Sequence, residues 1–198
     1  MQEAVPTGGA MAAVLGLTAD VIEKVCEETE GIVSIANYNC PGQIVITGEE
    51  KAVQRAAEGL LQSGAKRCVP LKVSGPFHSR MMEGAGNKLY EALAGVKISP
   101  PAVPYLSNVT ADYVRADEEE AAFEEKVKTL LKKQVSSPVK WQQTIERMLW
   151  DGVTDFVEIG PGKTLSGFMR KINKEARVIN IEKPEELKKL ADLGGKVC

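Results

Sequence analysis

Two short apolar runs, Ile32 to Asn37 and Gln43 to Thr47, flank the tetrapeptide Asn39-Cys40-Pro41-Gly42. Adjacent Pro and Gly make a tight turn, so the two runs predict a β-hairpin. Helix-period segments bracket it. On one side Thr18 can cap a helix running to about Thr29, with Val21, Ile22 and Val25 on one face and Gly31 beyond its end. On the other, Glu49 to Ser63 carries Val53, Ala56, Ala57, Leu60 and Leu61 at helical spacing, and Gly64 stands where a helix-ending glycine stands. Outside the helices lie two more strand-like runs, Gly9 to Leu17 and Ala65 to Val73; Pro70 confines the second to a sheet edge or an irregular end. From Gly9 to Lys72 the order is β-α-β-β-α-β. That is the ferredoxin-like arrangement, a small antiparallel sheet with two helices on one face.

The remainder alternates differently. Arg80 to Leu93 reads as a helix, Val103 to Leu106 as a short strand, and Asp117 to Lys133 as a strongly charged helix. Ser137 can cap a further helix with Pro138 in its first position, running to about Trp150. Strands are predicted at Asp155 to Ile159 and Ala176 to Ile181, with a helix from Thr164 to Ile172 between them and a helix from Pro184 to Leu193 in the polar tail. This alternation implies part of an α/β layer with parallel strands, and such a layer needs more strands than this half supplies.

Composition excludes several functions. With 43% hydrophobic and 26% charged residues the chain can bury an ordinary core. A net charge of −2 lacks the basic excess of a nucleic-acid binder. The longest uncharged apolar stretch, Val5 to Thr18, is too short and Gly-rich to span a bilayer and lacks the basic start of a secretion signal, so no membrane role and a cytoplasmic location are expected. Four cysteines without a C-x-x-C pair, beside one histidine, make no zinc constellation. Reduced thiols are the expectation, with a Cys–His pair between His78 and Cys40 or Cys68 as an unsupported alternative.

That single histidine, His78, lies in Val73-Ser74-Gly75-Pro76-Phe77-His78-Ser79, a loop between a strand-like and a helix-like run. Two roles are open to it by position: general base, or a surface or packing residue. Gly160-Pro161-Gly162-Lys163-Thr164 superficially suggests phosphate binding, but a Walker loop needs a Gly at position 157, which is Val157. It reads instead as a sharp strand-to-helix turn whose glycines permit a close approach. The amides of Asn37, Asn39 and Gln43 are ordinary hairpin residues, or the lining of a polar cleft.

Five motifs, taken together and in order, resemble those of the malonyl-CoA:acyl carrier protein transacylase family. They are Asn37-Tyr38-Asn39-x-Pro41-Gly42-Gln43-x-Val45-Ile46-x-Gly48, Gly75-Pro76-Phe77-His78-Ser79, Ser107-Asn108-Val109-Thr110, Ser137-Pro138-Val139-x-Trp141 and Glu158-x-Gly160-Pro161-Gly162-Lys163. The resemblance implies an α/β-hydrolase-like acyltransferase core with an inserted ferredoxin-like subdomain. On that division residues 1–8 are a core linker, 9–72 the subdomain and 73–198 the C-terminal part of the core. It implies transfer of a malonyl group from coenzyme A to the phosphopantetheine thiol of acyl carrier protein through an acyl-serine, with these thioesters and thiols as substrates and no cofactor. His78 matches the family's general base. Gln134 matches a residue whose backbone carbonyl orients the imidazole. Asn37 and Asn39 match amides lining the cleft, and Phe77 beside His78 resembles malonyl-type members.

Two family residues have no counterpart. No G-x-S-x-G nucleophile elbow occurs in the sequence. The arginine that pairs with the malonyl carboxylate belongs to an R-G-x-x-M-Q motif whose last two positions match Met1-Gln2, so it would lie four residues before Met1. The resemblance therefore implies the C-terminal two thirds of such an enzyme, inactive alone, completed by an N-terminal companion segment or self-associating through its uncovered core. The alternative is a non-catalytic module that binds acyl carrier protein or another partner.

Overall fold

The structure is a computed structural model that describes residues 7–115 and 119–193. Met1-Gln2, Asp117 and Cys198 lie outside the described residues. The first half contains β1 (Gly9–Leu15), α1 (Ala19–Glu28), β2 (Val33–Cys40), β3 (Gln43–Glu49), α2 (Glu50–Gln62) and β4 (Arg67–Pro70). These strands form one antiparallel sheet in the order β2-β3-β1-β4. β4, the strand holding Pro70, is an edge strand, where a missing N–H breaks no ladder. Both helices cover one face: Ile22 and Cys26 of α1 and Val53, Ala56 and Leu60 of α2 pack with Val14, Ile35, Ile44 and Ile46. Burying each of these Val, Leu and Ile side chains is worth about 2 kcal/mol. The opposite face carries Met11, Ala36 and Val45, against which Leu71 and Phe77 pack.

The hairpin turn is shorter than the sequence suggests. Asn39 and Cys40 belong to β2, Cys40 pairs with Gln43, and only Pro41-Gly42 turn, with Gly42 at φ 72°. A two-residue turn with a left-handed residue suits the twist of the flanking strands, and it keeps Cys40 buried. β2 also carries two register shifts, between Ile35 and Asn37 and between Tyr38 and Cys40, which re-aim the residues at Asn37 and Asn39.

In the second half a 3-10 turn (Arg80–Met82) leads into α3 (Glu83–Ala92). A small hairpin of β5 (Tyr105–Leu106) and β6 (Tyr113–Val114) follows. Then come α4 (Glu120–Ser136), α5 (Trp141–Trp150), β7 (Asp155–Ile159), α6 (Thr164–Ile172), β8 (Arg177–Ile181) and a 3-10 segment (Pro184–Leu193). β7 and β8 are parallel, as the alternation predicts. The expectation that Ser137 caps α5 is corrected. Ser137 closes α4 with φ −110° and ψ 155°, and α5 begins at Trp141 behind Lys140. A residue before proline is pushed to extended backbone, so Ser137 ends one helix instead of starting the next.

The extended residues between α4 and α5 join the two halves. Val139 N–H donates to the Ala36 carbonyl at 2.8 Å, and Tyr38 N–H donates to the Val139 carbonyl at 2.9 Å. Val139 thus pairs in parallel with Asn37 on the outer edge of β2, satisfying backbone groups that an edge strand leaves open.

Candidate active site

The His78 loop is anchored before it presents its side chain. Gly75 and Pro76 are buried, and Pro76 lies directly against Gly9 at the start of β1. Phe77 N–H closes a tight turn onto the Gly75 carbonyl at 3.0 Å. The fully buried Ser79 donates its hydroxyl to the Pro76 carbonyl at 2.7 Å. Between them His78 adopts φ 61°, in the left-handed region. For a residue with a Cβ this costs about 1 kcal/mol, so the surrounding contacts must hold it.

The ring reaches the end of α4. His78 Nδ1 lies 3.0 Å from the Gln134 carbonyl oxygen and 3.2 Å from that of Ser137. Both oxygens only accept, so in the neutral ring Nδ1 carries the proton and donates to the pair. Nε2 is left with its lone pair, the form a general base needs. The acceptors are main-chain groups at a helix C-terminus, where carbonyls lack intrahelical partners and carry partial negative charge. Electrostatically they stand where a triad's carboxylate stands.

The structure brings His78, Gln134 and Phe77 together. Asn37 pairs through its backbone with Val139, two residues after Ser137. Asn39 lies further along β2, at the second register shift, and no hydrogen bond among the described residues ties its side chain to His78. Ser137, whose carbonyl is the second acceptor, was missed because a main-chain oxygen has no letter of its own. The pre-proline rule is the signal that could have found it. Ser79 is committed to the loop and is not placed as a nucleophile.

The thiols are equally unsuited. Burial pushes Cys26 up to about 12, aided by Glu23 and Glu27. Burial also raises Cys40, against an opposing effect of Lys171, and raises Cys68. A reactive thiol needs an electropositive, accessible setting, so the Cys–His alternative lacks a nucleophile among the described residues. No group of three or more His, Cys, Asp and Glu among them is placed to hold a metal ion, and no helix among them is long and apolar enough to cross a membrane.

The Gly160–Lys163 loop needs no phosphate. Glu158 accepts from the N–H groups of Leu165 and Ser166 at 3.0 Å each, from the Ser166 hydroxyl and from Asn180 Nδ2 at 3.2 Å. Its carboxylate thus takes the place at the N-terminus of α6 that an anion would occupy. Burial would raise its pKa, but the hydrogen bonds from Ser166, Leu165 and Asn180 outweigh this and hold it below the ordinary carboxylate value. The close-approach reading of these glycines is corrected: a Cβ on Gly160 or Gly162 would meet nothing within 4 Å. They serve the turn through φ values of 136° and 87°.

The described residues form a mixed α/β frame in which two main-chain carbonyls hold the Nδ1 side of His78. Residues 1–187 match the acyl transferase domain family, and the chain belongs to it. Within that family the chain is similar to malonyl CoA-acyl carrier protein transacylases. It is 46% identical over 191 residues to the one from Bacillus subtilis (strain 168), covering 94% of this chain and 58% of that relative. Its structure matches an acyl carrier protein S-malonyltransferase from Vibrio cholerae with a TM-score of 0.88 at 37% identity, covering 96% of this chain and 61% of the other. It also matches a malonyl-transacylase in complex with its type II PKS acyl-carrier protein, with a TM-score of 0.89 at 35% identity, covering 98% and 61%. The chain therefore spans about three fifths of the length of the proteins it matches.

Proposed function

We propose that this chain supplies the general base and part of the acyl-group cleft of a malonyl-CoA:acyl carrier protein transacylase. The observation that carries this is the imidazole held through Nδ1 by the Gln134 and Ser137 carbonyls, with Nε2 left basic. A serine from polypeptide other than these 198 residues attacks the malonyl thioester carbonyl while His78 Nε2 takes its proton. The proton then passes to the departing coenzyme A thiolate, leaving malonyl on serine. In the second half His78 Nε2 deprotonates the phosphopantetheine thiol, whose sulfur takes the acyl group. The serine oxygen recovers the proton, and no cofactor enters the cycle. Asn37, Asn39 and Phe77 line the acyl cleft in this reading, and the malonyl carboxylate is bound by an arginine outside these residues.

The fold supports a finer description. The antiparallel order β2-β3-β1-β4 with both helices on one face fits a ferredoxin-like subdomain inserted in an α/β-hydrolase-like core represented here by β7 and β8. The absent G-x-S-x-G favours a second reading, a non-catalytic module that binds acyl carrier protein.

One set of assays separates them. The chain alone is expected to transfer no malonyl group; transfer by it would overturn the need for an external serine. Fusing it behind the part of the Bacillus subtilis relative that it does not match is expected to give malonyl transfer. In that fusion, His78→Ala is expected to lower kcat/KM by about 10²- to 10⁴-fold. A fusion that binds acyl carrier protein but never transfers malonyl supports the module. A His78→Ala fusion within tenfold of the parent removes His78 as the base.

A further inference from the structure

We propose that Gly9 is a positioning residue for His78, acting through the ring of Pro76. This rests on the reading of His78 as the base. A Cβ built on Gly9 would lie 2.2 Å from Pro76 Cδ, 2.4 Å from Cγ and 2.7 Å from Cβ, inside the space the ring fills. Real Cβ atoms do not approach other carbons so closely. Gly9 has no left-handed backbone and pairs regularly with Glu49, so its bare Cα is not needed for conformation. What it provides is room.

The Pro76 ring cannot step aside cheaply. It is fully buried, its carbonyl accepts from the buried Ser79 hydroxyl, and the adjacent Phe77 packs on Met11, Ala36 and Val45. Strand β1 and the β2–β3 hairpin form a single hydrogen-bonded sheet, so β1 is the rigid partner in this contact and the loop is the part that yields. Displacing the ring by the ångström or more that a methyl demands moves the peptide leading into His78. His78 is held at φ 61° between Phe77 and Ser79, and its Nδ1 sits 3.0 and 3.2 Å from two carbonyls. A hydrogen bond lengthened well past 3.5 Å is lost. Gly9 thus keeps Nδ1 protonated and Nε2 basic without touching the imidazole.

Because His78 is the only histidine, its protonation pattern can be read in the intact 198-residue chain without any acyl transfer. Histidine-selective nitrogen-15 NMR, at a pH where the ring is neutral, distinguishes a proton on Nδ1 from one on Nε2. The parent chain is expected to carry it on Nδ1. Gly9→Ala is expected to lose that signature and show the exchanging mixture of a free imidazole. Pro76→Gly, which removes Cβ together with the rest of the ring, is expected to restore the Nδ1–H form when combined with Gly9→Ala. Gly84→Ala, where a Cβ meets nothing within 4 Å, is the control and is expected to leave the spectrum unchanged.

A Gly9→Ala chain that keeps the parent's tautomer overturns the proposal. So does a Gly9→Ala/Pro76→Gly chain that stays unfolded or keeps the mixed form. If Gly9→Ala alone does not fold, the double variant decides, since only relief of this contact can rescue it. A parent ring with its proton on Nε2 would instead remove the base assignment itself.

Discussion

The Ser79 hydroxyl is fully buried and its hydrogen-bond acceptor is the Pro76 carbonyl. Ser79→Ala leaves that buried carbonyl without its donor, which costs about 1–2 kcal/mol. In a chain of this size that is a fall of about 2–8 °C in Tm, measurable by calorimetry. A fall under 1 °C would mean the hydroxyl does not hold the loop. At this scale the sequence was legible where side chains carry the chemistry. His78 stands alone in the composition; Gln134, which acts through its main-chain carbonyl, was reachable only through the motif resemblance. It was opaque where backbone atoms do the work: the Ser137 oxygen, and the bare Cα of Gly9 against Pro76, a contact between residues far apart in the chain. Glycine in a strand announces that something is close without saying what.

Among elements, α6 illustrates how a charged cap reports on pH. Glu158 binds the first-turn amides of this helix, and its pKa is lowered despite partial burial. A carboxylate with a lowered folded-state pKa adds stability above its unfolded pKa, near 4.3, and loses it as pH falls through the folded value. Glu158→Gln is therefore expected to lower the urea midpoint at pH 7 and to converge on the parent in acid. Parallel curves for parent and variant from about pH 7 down to pH 3 would show that the carboxylate does not cap α6. The expected strand-to-helix turn was correct in place, and only the reason for its glycines changed. Longer elements were readable because their period repeats over several turns. The β5–β6 hairpin, with two residues per strand, is too short for any period, and β6 was not anticipated. The Ser137-Pro138-Val139 linker looked like a helix start because Ser then Pro is also a capping pattern. Its pairing with β2 decides the matter, and that pairing is non-local.

For the whole molecule the alternation of the second half implies a parallel layer, and among the described residues that layer has two strands. Among the described strands β7 pairs only with β8, so its other edge presents free N–H and C=O groups. Ile159 of β7 is 75% exposed, and Trp150 at the end of α5 is 88% exposed. Between α5, α6 and β7 lies a cavity of about 200 Å³ lined by Met148, Phe156, Leu165 and Met169, where the buried Trp141 Nε1 has no partner among the described residues. Exposed apolar groups around an open strand edge drive association when nothing covers them. The purified chain is expected to self-associate at micromolar concentrations, with a larger oligomer fraction in sulfate, which strengthens apolar burial. Ile159→Lys places a charge on the open edge and removes about 2 kcal/mol of apolar burial, weakening association about 30-fold. Sedimentation velocity across a dilution series measures the shift. A chain that stays monomeric at 100 µM would show that this surface is tolerated in water as it stands. Association unchanged by Ile159→Lys would place the contact elsewhere. If the fusion with the Bacillus subtilis segment is monomeric while the chain alone associates, the added polypeptide covers the surface that also lacks its serine. Self-association and lost catalysis would then share one cause, the open side of β7.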